Sequence, residues 1–147
     1  MKKLLYFLFV FVSFYPTPSF AENYVCVAEK STGFHYNQKT HQWDDARFRT
    51  DTKYLIRKAD QNDVWEKNHN MAVVIFGKKK SEFRCQEGIN DVGLLLCYSL
   101  SGQFKFNNLS LRFLRSMTFG YYNNGYGKFP DKLSASPFLE IGTCTKM

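Results

Sequence analysis

Between Pro18 and Pro130 the chain contains no proline. Proline is the residue that deletes a ladder donor, so this long stretch is free to form uninterrupted β-ladders. There is no C-x-x-C pair, which removes the spacing that a thiolate zinc site wants. H-E-x-x-H, G-x-S-x-G and G-x-x-x-x-G-K-[ST] are all missing, and with them the recognisable metalloprotease, α/β-hydrolase and P-loop chemistries. Past residue 21 no long apolar run occurs, whereas a membrane-spanning helix needs about 20 such residues. No segment holds a helical apolar period with a cap at one end and glycine at the other. Nothing is collagen-like or of low complexity.

What is present is aromatic. The 147 residues include 15 Phe, 9 Tyr and 2 Trp, and 44% are hydrophobic, which excludes a disordered chain. The length suits one ordinary domain. Lys and Arg number 20 against 13 Asp and Glu, a formal charge of +7.

Part of that charge belongs to the N-terminus. Met1-Lys2-Lys3 is a short positive segment, residues 4–14 are apolar except Ser13, and Pro16 and Pro18 end any helix. Ser19 and Ala21 place small residues where a signal peptidase reads. This is the layout of a signal peptide over 1–21, too short in its apolar run to span a membrane. Asn23-Tyr24-Val25 ahead of Cys26 is not a lipobox. Cleavage would remove two lysines and no acid, leaving a domain over 22–147 at +5. A charge of that size keeps a protein soluble and also attracts anionic partners.

All four cysteines, Cys26, Cys85, Cys97 and Cys144, lie in that domain. An even number in an exported chain reads as two disulfides, with three connectivities open. Cys85 and Cys97 flank the turn-rich segment 86–93, and Cys26 and Cys144 sit near the two ends. The pairing 85–97 with 26–144 is therefore favoured, the second bridge joining the first strand to the last.

Turn residues recur every 8 to 15 positions, and the runs between them are aromatic or β-branched. Strands are predicted near 24–29, 34–37, 42–49, 53–58, 64–67, 71–77, 82–86, 94–99, 103–107, 109–122 and 138–144, some of them merging. The fold class is all-β: a single small β-barrel or sandwich of about 8–10 short antiparallel strands. Residues 44–58 are the one place where a short helix competes. The clearest alternation runs over 109–122, with Leu109, Leu111, Phe113, Met117, Phe119 and Tyr121 on one face. Arg115 falls on that same apolar face.

Arg115 has three readings. A bulge turns it outwards; or it lies inside, stacked on an aromatic such as Trp43 or Trp65 and bonded to backbone carbonyls; or it anchors the polar group of a ligand in an apolar cavity. Lys78, Lys79 and Lys80, between Gly77 and Ser81, form a hairpin tip that discourages edge pairing or touches an anionic surface. His35, His41 and Asp44 can meet in a hairpin as metal ligands, although polar residues beside a turn are ordinary. Asp44 and Asp45, adjacent on a strand, face opposite ways and make no acid pair. No catalytic residue, metal ligand or cofactor is assigned.

Two stretches carry a resemblance. Cys26, Thr32-Gly33-Phe34-His35-Tyr36-Asn37, Trp43 and Lys53-Tyr54-Leu55-Ile56 form the first. Phe104-Lys105-Phe106-Asn107, Phe119-Gly120-Tyr121 and Leu139-Glu140-Ile141-Gly142-Thr143-Cys144 form the second. The pattern resembles small exported bacterial proteins of unknown function, over nearly the whole domain, and implies no activity. In architecture alone the chain is similar to periplasmic lysozyme inhibitors and lipocalin-like barrels; the inhibitors' loop and the lipocalin G-x-W are missing. The sequence thus points to a periplasmic or secreted binding module, not membrane-embedded and without nucleic acid, whose partner is a protein or an anionic envelope component. The alternatives are a small-ligand carrier with a barrel cavity and an envelope enzyme with an unrecognised site. Lys78, Lys79, Lys80 and Arg115 are the candidate binding residues.

Overall fold

The structure, a computed structural model, describes residues 22–63, 69–85, 87–100, 102–122 and 130–147. The signal-peptide segment, the strand expected at 64–67 and Trp65 lie outside them. Among the described residues nine strands follow in chain order: β1 (Tyr24–Asn37), β2 (Gln42–Arg47), β3 (Lys53–Lys58), β4 (Met71–Ile75), β5 (Phe83–Cys85), β6 (Leu94–Tyr98), β7 (Gly102–Asn107), β8 (Arg112–Met117) and β9 (Phe138–Lys146). All pairings are antiparallel. From β3 to β9 each strand pairs with the next, and β1 pairs with both β3 and β9. That last ladder closes an eight-stranded barrel, leaving β2 as an extra strand on β1.

β1 is long enough to do two jobs because of a bulge. Tyr24, Cys26 and Ala28 face inwards. The β1–β9 register then slips between Ala28 and Lys30, and Glu29 is the extra residue. Beyond it the parity is reversed, so Ser31 is buried and Lys30 is exposed. A bulge bends and twists its strand, and here it carries β1 past the barrel rim to pair with β2 as a two-stranded arm. A Cβ added to Gly142 would lie 2.0 Å from the Val27 carbonyl oxygen, so the seam beside the bulge has room only for glycine.

The interior is filled by side chains. Tyr24, Tyr54, Ile56, Val73, Phe83, Leu95, Phe104, Phe106 and Phe113 are all buried inside it. Phe104 and Phe113 stack with centroids 5.0 Å apart, and Tyr54 meets both edge-on at 5.3 and 5.5 Å. Such ring pairs add roughly 0.5–1.5 kcal/mol each beyond their buried area. Eight strands suit this, since a barrel of that size is just wide enough for side chains to fill. The two disulfides are Cys26–Cys144 and Cys85–Cys97, each joining register partners on neighbouring strands.

Two expectations, a break between strands at 30–33 and the long strand 109–122, needed correction. The signals at 30–33 mark a bulged continuous strand, not a turn. Residues 44–58, where a short helix competed, fall in and between β2 and β3, as the predicted strands at 42–49 and 53–58 required. The long strand 109–122 is only Arg112–Met117. Asn107 ends β7 by accepting from the Leu109 and Ser110 backbone N–H groups, and Leu111 adopts φ of 55°. The same device closes the arm, where Asn37 caps Lys39 and Thr40 and His41 has φ of 58°. An Asn side chain that mimics a backbone turn overrides apolar alternation.

The Cys26–Cys144 bridge spans 118 residues of sequence and Cys85–Cys97 spans 12. On loop-closure entropy, Cys26→Ala/Cys144→Ala will cost about 1–2 kcal/mol more stability than Cys85→Ala/Cys97→Ala. Denaturant unfolding of the two variants measures the difference; equal losses would mean that the seam is held by its ladder alone.

Candidate functional site

An antiparallel meander sends alternate connections to the same end. The β4–β5, β6–β7 and β8–β9 connections therefore emerge beside the β1–β2 arm. That end collects the exposed apolar residues Phe34, Phe76, Leu100, Phe119, Tyr121 and Tyr122, with Leu100 98% exposed. Lys78, Lys79 and Lys80 are exposed in the β4–β5 connection at the same end. Sequence spacing alone does not bring residues 34, 78 and 121 together; the meander does.

The lysine tip is pinned from below. Asp63 is 1% exposed and accepts four hydrogen bonds. Two come from Arg57, on β3, at 2.5 and 3.3 Å, one from the Asp60 N–H at 2.9 Å and one from the Ser81 N–H at 3.1 Å. Arg57 also donates to the Lys79 carbonyl at 3.5 Å. Burial by itself raises the Asp63 carboxyl, but the Asp60 N–H, the Arg57 guanidinium and the Ser81 N–H outweigh it and hold the group below the usual carboxylate range. One buried carboxylate thus ties β3, its following turn and the lysine tip into one unit.

A groove of about 540 Å³ opens beside the arm. Thr32, Phe34 and Asp45 line it from β1 and β2, Leu139 from β9, and Met117 and Tyr121 from β8 and the segment after it. Phe34 pairs with Asp45 and Tyr36 with Trp43 across the arm, which puts these side chains on one face. Trp43 meets Tyr36 edge-on at 5.7 Å and Tyr121 at 5.4 Å, fixing the groove wall to the arm. Asp44 faces the other way and accepts from Asn37 Nδ2 at 2.8 Å.

Arg115 points inwards from a regular β8, so no bulge turns it out. It lies over Tyr54, Phe83 and Phe138, 5.0–5.5 Å from their ring centroids, rather than on Trp43. Its Nη1 donates to Tyr54 Oη at 2.6 Å, and Tyr54 Oη donates to Glu140 Oε2 at 2.7 Å. Glu140 is 3% exposed and 3.4 Å from the guanidinium. Side-chain groups take the place of the expected backbone carbonyls. Burial pushes the Tyr54 phenol well above its ordinary value, and the bond to Glu140 pushes it the same way. Arg115 lies one register step below the Met117–Phe138 pair, with the Phe138 ring over it.

His35 sits opposite Asp44 on the arm, and His41 Nδ1 is 3.4 Å from Tyr36 Oη in the turn. Among the described residues no group of three His, Cys, Asp or Glu is placed to hold a metal ion. Asp63 and Glu140 were given no role by the sequence, and Asp45 was considered only as a neighbour of Asp44 that makes no acid pair with it. For Glu140 a signal existed: it is in phase with the disulfide Cys144 and so shares the inner face with Arg115. Comparison with family models, curated proteins and solved structures finds no match.

Breaking a buried ion pair leaves an uncompensated charge, whereas replacing all its members with apolar groups does not. Arg115→Met will therefore cost about 3 kcal/mol or more, and Tyr54→Phe/Arg115→Met/Glu140→Leu will recover most of that loss. Urea unfolding of the two variants decides it, and a triple variant no more stable than the single one would contradict the account. The Asp63 anchor carries its own pH signature. A carboxyl held below its unfolded value stabilises at neutral pH and loses that contribution as pH falls through its folded value, below about 4. Asp63→Asn will cost about 2 kcal/mol at pH 7 and progressively less as pH falls below about 4, with faster amide exchange at residues 78–81 most marked at neutral pH.

Proposed function

We propose that this protein is a non-enzymatic binding module that acts in the periplasm or outside the cell on a protein partner with an anionic surface. The observation that carries the reading is the lysine tip: three exposed ammonium groups on a loop held from below by a buried carboxylate. A pre-positioned charge cluster costs little ordering on contact and mainly raises the association rate. The filled interior supports a module that works from its outer surface over a carrier with an internal cavity. Two disulfides suit an oxidising compartment. Exposed Lys30, Lys53, Lys105 and Arg112 stand on the wall among exposed Val27, Leu96, Leu114 and Ile141, a mixed surface that differs from the continuous apolar band of a membrane-spanning barrel.

The test compares residues 22–147 with the Lys78→Gln/Lys79→Gln/Lys80→Gln variant on a sensor coated with solubilised envelope proteins, at low and high salt. The variant should associate about tenfold more slowly at low salt, with the gap closing at high salt as charges are screened over about 8 Å or less. Its thermal midpoint should be unchanged. Equal association rates at both salts would make the three lysines a solvated turn, and an equal gain on vesicles of anionic phospholipid would move the partner from protein to lipid.

A further inference from the structure

The groove beside the arm has a chemistry that the lysine tip does not share. In a chain with an excess of cations, no Lys, Arg or His lines it among the described residues, and its one carboxylate is Asp45. Arg47, two positions along the same face of β2, is exposed and outside the lining. Four aromatic residues line the groove, Phe34, Tyr121, Tyr122 and Phe138. Of these, Phe34, Tyr121 and Tyr122 are more than half exposed. Aromatic faces carry negative electrostatic potential, and rings grouped around a carboxylate attract an alkylammonium while repelling an anion. Of the remaining lining, Met117, Leu139 and Pro137 offer apolar contact, Thr32 and Thr118 add neutral hydroxyl-bearing side chains, and Met117 adapts its shape to what it meets. At about 540 Å³ the space exceeds what a single ammonium head needs and lies in the range of sites for small organic ligands.

We infer that this groove is a binding site for an organic cation with an apolar body, such as an aryl- or alkyl-trimethylammonium. The apolar body packs on Phe34, Met117 and Leu139, and the cationic head sits toward Asp45 and the tyrosine rings. Asp45 is held there by the β1–β2 register, which sets it opposite Phe34. The rigid wall comes from Trp43, clamped between Tyr36 and Tyr121. The site is independent of the lysine tip and stands or falls without it.

Three probes with the same aryl group separate charge from simple hydrophobicity: benzyltrimethylammonium, benzyl alcohol and phenylacetate. Calorimetric titration of residues 22–147 should show the cation binding about tenfold or more tightly than either of the others. Asp45→Asn, at an exposed position whose loss leaves the barrel intact by circular dichroism, should reduce that preference several-fold. Tyr121→Ala should abolish binding of the cation. Equal affinity for cation and alcohol would reduce the groove to an apolar patch, preference for phenylacetate would reverse the charge assignment, and no heat with any probe would remove the site. If Tyr121→Ala is misfolded, Phe34→Ala serves the same purpose, and unchanged cation affinity in that variant would also overturn the assignment.

Discussion

The ladder between β1 and β9 is the constraint on which the rest of the molecule depends. It joins the first strand to the last, converts an open meander into a closed barrel, and removes the two edges that such a sheet would otherwise expose. The Cys26–Cys144 bridge lies on it, Gly142 allows the two backbones to approach, and the Glu29 bulge sits within it. The bulge is what allows one strand to close the barrel with its first half and build the arm with its second. Without that parity change β1 would send Lys30 inwards, and the outward face formed by Phe34, Asp45, Tyr36 and Trp43 would turn over with it.

Closure also sets what the interior can hold. An eight-stranded barrel lined by Tyr24, Tyr54, Phe83, Phe104, Phe106 and Phe113 has its volume taken up by rings. Into this apolar space the fold admits the ion pair of Arg115 with Glu140, each bonded to the Tyr54 hydroxyl. The guanidinium's flat faces rest on aromatic rings and its edge meets oxygen, the arrangement in which arginine tolerates burial. The two charges are therefore turned towards each other.

The meander sends the lysine tip, the aromatic groove and the arm to one end of the barrel. The tip owes its position to Asp63, a buried carboxylate fixed by four donors. The groove owes its character to Asp45 and to aromatic walls with no basic residue among the described lining residues.

Much of this was legible in the chain. Aromatic and β-branched runs of strand length, turn residues between them and a proline-free interior specify an all-β domain, because side-chain period and turn chemistry are local properties. The cysteine pairing was readable too, since Cys26 and Cys144 sit in the first and last strands. The oddity of Arg115 on an apolar face was visible, but the rings and the carboxylate that make it tenable were not, because Tyr54, Phe83 and Glu140 reach it from strands distant in sequence. Local reading failed at Lys30 and at 109–122 for one reason. A bulge and an Asn-capped turn each change strand direction or parity through backbone geometry, which a pattern of apolar residues does not encode. Which residues would share an end, and hence that Phe34, Asp45, Tyr121 and Leu139 would line one groove, was decided only when β9 found β1. That long-range ladder sets the register of every strand between them.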